Sequence, residues 1–223
     1  MEVSDNRRPL KSRRSGWASA AAAALAKMGA TPDLISASSM AFSAIGATCL
    51  VAAWAAGPAA RAVLLIGAAS AVQLRLVCNL LDGMVAVEHG RGGPYGPIWN
   101  ELPDRVSDVL LLVALGWAAS AGGPDAWVLG WIAAVLAVLT AYVRELGRAI
   151  GFAADFSGPM AKPHRMAVLT AACVLSIAEP LVGWRGQILY AALAVIVLGS
   201  VVTVARRVGA LGRNLKRAAA ARR

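Results

Sequence analysis

Six apolar stretches, each about the length of a bilayer-spanning helix, constrain this chain more than any other feature of its sequence. A hydrocarbon core about 30 Å thick takes roughly 20 residues of helix. The stretches run Leu34 to Ala56, Ala60 to Val87, Gly96 to Ser120, Ala126 to Arg148, Arg165 to Leu181, and Gln187 to Ala205. Between them fall Gly57-Pro58, Gly92-Gly93-Pro94, Gly122-Gly123-Pro124, Gly158-Pro159 and Gly183, residues that break helices. The expected fold is therefore an all-α integral membrane protein with six transmembrane helices. The pattern leaves no room for a separate soluble domain in the 223 residues.

Composition agrees. Hydrophobic residues make up 58% of the chain and charged residues 15%, a balance that places lipid rather than water around most of the surface. The net charge of +10 would suggest nucleic acid in a soluble protein. In a chain this apolar it reads as the cytoplasmic bias of basic residues and contact with anionic headgroups, and no nucleic-acid partner is expected. Basic residues gather before Lys27, at Arg91, from Arg144 to Arg165 and after Arg206, whereas the opposite ends carry only Arg61 and Arg185. Both termini, and the ends of the second to fifth spans that meet between them, should face the cytoplasm.

The expected division is a cytoplasmic segment 1–33, a six-span domain 34–205 and a basic cytoplasmic tail 206–223. Arg13-Arg14 and the Ala-rich run from Trp17 to Ala26 look like a twin-arginine leader. The run lacks a Leu-rich core and leads through Lys27 into a Gly-Ala-Thr-Pro turn, so it is read as an N-terminal amphipathic helix lying at the membrane interface. Cys49, Cys78 and Cys173 sit in apolar runs without metal-ligand spacing and read as buried small hydrophobes. Glu179 and Trp184 read as interfacial anchors, and His89 as a solvated residue of a Gly-rich loop.

Five acidic residues, Asp82, Glu88, Glu101, Asp104 and Asp108, cluster at the junction of the second and third spans. Ionisable groups at membrane depth are costly, so their clustering marks a functional site. Asn79 and Asp82 are three apart, and Asn100, Asp104 and Asp108 are four apart in series, so each set shares a helix face. Two such faces across a short loop make an oxygen-lined pocket suited to a hard divalent cation. Arg75, four residues before Asn79, should pair either with a carboxylate of this site or with one remote from it.

The run Asn79-Leu-Leu-Asp82-Gly83-Met-Val-Ala86-Val87, eight residues, then Gly96-Pro-Ile-Trp-Asn100-Glu-Leu-Pro-Asp104 resembles the signature of the CDP-alcohol phosphotransferase family. That signature reads Asp-x-x-Asp-Gly-x-x-Ala-Arg, about eight residues, Gly-x-x-x-Asp-x-x-x-Asp. Thr31-Pro32-Asp33 is similar to the family's usual Thr-Pro-Asn before the first span. The resemblance implies transfer of a phosphatidyl or related group from a CDP-alcohol, CDP-diacylglycerol foremost, to an acceptor alcohol in phospholipid synthesis, releasing CMP. It implies Mg²⁺ or Mn²⁺ held at Asn79, Asp82, Asn100 and Asp104, with Asp104 also the catalytic base. Gly83, Ala86 and Gly96 would admit the nucleotide. Members of the family are often homodimers, so a second copy is among the expected partners, beside membrane lipids.

Three positions depart from the signature: Asn79 and Asn100 stand where its first and third aspartates are expected, and Val87 where its arginine is. Glu88, Glu101 and Asp108 are candidates to restore the missing charge. A second basic group, Arg144 with Lys162 and Arg165 in Gly158-Pro-Met-Ala-Lys162-Pro-His164-Arg165, is similar to a family element that contacts a phosphate on the acceptor or lipid. The other reading of the departures is a catalytically inactive lipid- or nucleotide-binding protein on the same scaffold.

Overall fold

The computed structural model describes residues 15–88, 90 and 94–221. Arg13-Arg14, His89 and Arg91 lie outside the described residues. Among these residues the regular structure is entirely helical: α1 (Gly16–Lys27), α2 (Pro32–Ala55), α3 (Pro58–Glu88), α4 (Gly96–Ala118), α5 (Ala126–Ala149), α6 (Lys162–Leu175) and α7 (Gln187–Ala220), with 3₁₀ turns at Ala119–Ala121 and Ser176–Val182.

Local chemistry sets the helix starts. Thr31 caps α2 by accepting from the Leu34 amide at 3.2 Å, and Pro32 fills the first helical position. Proline also stands in the first turn of α4 and α6, and opens α3. Arg185 closes α2 at its other end by donating to the carbonyls of Trp54 and Ala56 at 2.7 and 2.9 Å.

Two boundaries differ from the sequence reading. The fifth span narrows from α-helix to 3₁₀ at Ser176, where Pro180 removes an amide donor. The last helix does not stop near Ala205 but continues to Ala220. Polar residues at its far end form helix as readily as apolar ones, so the loss of hydropathy marks no helix end.

The helices pack in a closed ring in the order α2, α3, α6, α7, α5, α4 and back to α2. Small residues permit the closest approach: a Cβ on Gly116 of α4 would lie 2.8 Å from the Cα of Gly130 of α5. The core holds Leu50, Leu65, Val72, Leu111, Leu115, Leu169 and Leu193. Outward faces carry Trp54, Ile66, Trp131, Val135 and Leu198, all exposed, the arrangement of a protein surrounded by lipid. Four helices, and α6 with its 3₁₀ extension, are long and apolar enough to cross a membrane. The chain is thus a multi-pass membrane protein. In α4, Glu101, Asp104, Arg105 and Asp108 interrupt the apolar run.

α1 lies against one end of α3. Its buried face is made of Ala18, Ala22 and Ala26, which meet Leu80, Leu81, Met84 and Val85. At the opposite end of the bundle, Glu179 is fully buried rather than anchored at an interface. It accepts from Arg61 at 3.0 Å and from the amides of Gly186 and Ile188 at 2.7 Å each. Those two amides lie at the start of α7, where helix donors have no intrahelical partner.

Candidate active site

The end of α3, the first half of α4 and the start of α6 converge near α1. Asp82 is buried on α3 and accepts from Ser36 of α2 at 2.6 Å. Asp104 of α4 lies near enough for its charge to act on Asp82. Asn79, one turn before Asp82, donates its amide to Asp104 Oδ1 at 2.9 Å. The same oxygen receives the ammonium of Lys162, the first residue of α6. Arg75 stands 3.7 Å from Oδ1, and Arg105 3.6 Å from Oδ2. Asp104 is therefore enclosed by donors and cations, whereas Asp82 has no ion pair among the described residues.

Gly83 and Gly96 face open space: a Cβ on either would meet nothing within 4 Å. The backbone at both positions is therefore open to a flat group, which a side chain there would hinder. Ala86 lies one turn beyond Asp82 on α3 and is half-buried.

The other sequence candidates separate into different groups. Asp108 is 1% exposed and accepts from Arg75 and Arg165, each at 2.7 Å, so it faces two guanidiniums in the core. Arg165 is likewise buried, donating also to the Met160 carbonyl at 2.8 Å. Its charge is spent inside the protein, away from any acceptor phosphate. Glu101 pairs with Arg144 and, at 3.5 Å, with Arg105. Asn100 is exposed and turns its amide to Glu101 at 3.4 Å. Glu88 is exposed at the end of α3. Arg144 also lies over the Phe156 ring, 5.3 Å from its centroid.

Two participants escape a reading of the sequence. Ser36 holds Asp82, but a serine one turn into a span looks like any other small intramembrane polar residue. Arg207, placed by sequence with the basic tail, is buried and donates to the carbonyls of Thr140 and Ser157 at 2.6 and 3.0 Å. It ties α7 to α5 and to the segment leading into α6.

A curated relative resolves the family. The phosphatidylinositol phosphate synthase of Mycobacteroides abscessus is 30% identical over 192 residues, covering 85% of this chain and 81% of the relative. The chain belongs to the CDP-alcohol phosphotransferase family. The phosphatidylinositol phosphate synthase of Mycolicibacterium smegmatis is 29% identical over 194 residues, with the same coverage of 85% and 81%. No protein-family model matches the chain. Among solved structures, phosphatidylinositol phosphate synthase of Mycobacterium tuberculosis with CDP-DAG bound aligns with a TM-score of 0.73 at 23% identity, covering 88% of this chain and 94% of that one. The same enzyme in complex with manganese and citrate aligns with a TM-score of 0.72 at 23% identity, covering 87% and 88%. These two likenesses establish a shared fold.

CDP-alcohol phosphotransferases use divalent metals, which puts a question to this donor set. No three His, Cys, Asp or Glu side chains come together as a metal cage among the described residues. Asp82 presents one carboxylate without an ion pair among the described residues, and Asp104 lies near it with one oxygen held by Lys162 and Asn79. Mg²⁺ is commonly held by one or two carboxylates and completed by substrate phosphates and water. The residues fit divalent metal held in this way, with the donor supplying the remaining oxygens.

Proposed function

We propose that this chain transfers a phosphatidyl group from a CDP-alcohol, CDP-diacylglycerol foremost, to an acceptor alcohol and releases CMP. The observation that carries the reading is that Asp82 and Asp104 come near enough for one charge to act on the other, with open space at Gly83 and Gly96. A diphosphate needs its charge neutralised beside a surface that its nucleotide can approach, and this site offers both. A Mg²⁺ or Mn²⁺ held there would supply charge neutralisation to the pyrophosphate. Asp82, oriented by Ser36, would be the principal ligand of such an ion. Asn79 and Asn100 are read as occupying the positions of the first and third signature aspartates, contributing amide groups and no charge.

Asp104 is assigned to the acceptor side, where its carboxylate orients and receives the proton of the attacking hydroxyl. Arg144, which pairs with Glu101 and Glu145, is assigned to an acceptor or lipid phosphate, for which it would exchange one of these carboxylates. The relatives' name points to an acceptor that carries a phosphate, so a phosphorylated inositol is the first alcohol to test. Residues 34–205 are read as a six-span domain with α4 as the sixth span, α1 at the membrane interface, and both termini and the site in the cytoplasm. That orientation rests on the distribution of basic residues. A homodimer is the assembly proposed.

The test is purified protein in vesicles with CDP-diacylglycerol, Mg²⁺ and a panel of free and phosphorylated alcohols, read by mass spectrometry of the lipids. A new phospholipid carrying one of the alcohols is expected. Unchanged CDP-diacylglycerol across the panel would favour a second reading, a binding protein without catalysis. The closure of Asp104 by Lys162 and Asn79 is the observation on that side.

A further inference from the structure

We propose that Arg75 is a positioning residue for the transfer reaction: it holds the turn of α4 that carries Asp104, so that one oxygen of that carboxylate stays free for the acceptor hydroxyl. This role rests on the reading of Asp104 as the residue of the acceptor side and names what fixes it there.

Arg75 is 0% exposed near the middle of α3, a costly place for a guanidinium. Its Nη2 donates to Asp108 Oδ1 at 2.7 Å and to the Asp104 carbonyl at 3.2 Å, and lies 3.7 Å from Asp104 Oδ1. Its Nη1 donates to the Met166 sulfur at 2.9 Å. One guanidinium thus touches α4 at two residues a turn apart, with α6 behind it. Arg165 already pairs with the other oxygen of Asp108 at 2.7 Å. The charge of Asp108 is therefore met without Arg75, and what Arg75 adds is the contact with Asp104.

That contact reaches the backbone as well as the side chain. A carbonyl inside a helix ordinarily faces only the amide four residues on, whereas the Asp104 carbonyl also takes a guanidinium from the neighbouring helix. Asn79, one turn beyond Arg75 on α3, donates to Asp104 Oδ1 at 2.9 Å, and the Lys162 ammonium reaches the same oxygen. Oδ2 has only Arg105, at 3.6 Å. The carboxylate is divided: Oδ1 is taken by the protein, and Oδ2 is left to receive a proton from the acceptor.

Such a division works only while the turn stays where it is, since a reacting group misplaced by about 1 Å can lose on the order of a hundredfold in rate. Arg75 is suited to hold it, because the planar fork of a guanidinium reaches Met166 with one nitrogen and the α4 turn with the other. Lysine at the same place supplies the charge without the fork. Methionine supplies the stem without the charge.

The test is steady-state CMP release by full-length Arg75→Lys and Arg75→Met in vesicles, from CDP-diacylglycerol and an inositol phosphate with Mg²⁺, giving kcat and donor KM per folded molecule. Both variants should fold, because Asp108 keeps Arg165. Both should lose about tenfold to a hundredfold in kcat, with donor KM within about threefold of wild type. Glu179→Gln is the control, a variant destabilised through a buried ion pair at the far end of the bundle, and its kcat should not change. Wild-type kcat in either Arg75 variant would overturn the proposal. So would a donor KM that rises as much as kcat falls, which would make Arg75 a support of donor binding, or the failure of both variants to fold, which would make it a support of the fold alone. A wild-type chain that releases no CMP overturns the transferase reading itself, and the positioning role with it.

Discussion

Arg75 and Asp108 are paired at 2.7 Å with side chains 0% and 1% exposed, one helical turn from Asn79 and Asp104 respectively. Asp108 also holds Arg165, so one carboxylate joins α3, α4 and α6. Removing one partner of a buried pair leaves an uncompensated charge and costs about 3–5 kcal/mol. Asp108→Asn should therefore lower the thermal unfolding midpoint in detergent sharply, as measured by intrinsic tryptophan fluorescence. Its effect on Mn²⁺ affinity in the fraction that folds should be small, because Asp108 is taken up by two arginines.

Glu179 plays the corresponding part at the other end. With Arg61 and two amides at the start of α7 as its partners, Glu179→Gln should also destabilise by about 3–5 kcal/mol. Transfer activity per folded molecule should not change, since the residue lies at the far end of the bundle. Unfolding midpoints and activity of the same preparation check both statements.

Those two buried clusters show where the sequence stops being informative. Span positions are legible because an apolar run of bilayer length bounded by Gly and Pro has few alternatives. Helical spacing also puts Asn100 and Asp108 on the face of Asp104, whereas the structure turns Asn100 to Glu101 and Asp108 to Arg75 and Arg165. The partners of Asp108 and Glu179 are not legible. Arg165 is 57 residues from Asp108 and Arg61 is 118 from Glu179, and only the ring order of the helices brings them together. An acid beside Trp184 near a span end reads as an anchor until the start of α7 is seen to turn its amides onto it. The same limit hid the contact of Lys162 with Asp104: spacing places lysine at the start of α6 but cannot say which carboxylate it faces.

Gly158 tests how the Lys162 segment is held. At φ +115° and 2.5 Å from Thr203 for an added Cβ, Gly158→Ala is expected to cost about 1–3 kcal/mol in backbone strain, and the clash should also shift Met160 and Lys162. Transfer should fall about tenfold, corresponding to roughly 1.4 kcal/mol in the barrier. Steady-state kinetics on the folded variant provide the check.

The carboxylates should divide by role. Asp82→Asn removes the unpaired anion of the site and should weaken Mn²⁺ and CDP binding together. Asp104→Asn should cut turnover at least as severely while some CDP binding survives, since Asp104 is assigned to the acceptor. Glu101→Gln, which loosens Arg144 and Arg105, should leave Mn²⁺ affinity close to that of wild type, because Glu101 is held by two arginines and makes no contact with Asp82 or Asp104. Calorimetric titration of Mn²⁺ and CDP with each variant separates the three.

The most direct test of the account is CMP release by the purified full-length chain from CDP-diacylglycerol and a phosphorylated polyol. It should be followed first with excess chelator and then with Mg²⁺ or Mn²⁺ restored. The account predicts no CMP above background in chelator, release on restoring either metal, and loss of that release in Asp82→Asn. CMP release that is equal in chelator and in metal, or unchanged in Asp82→Asn, would contradict it.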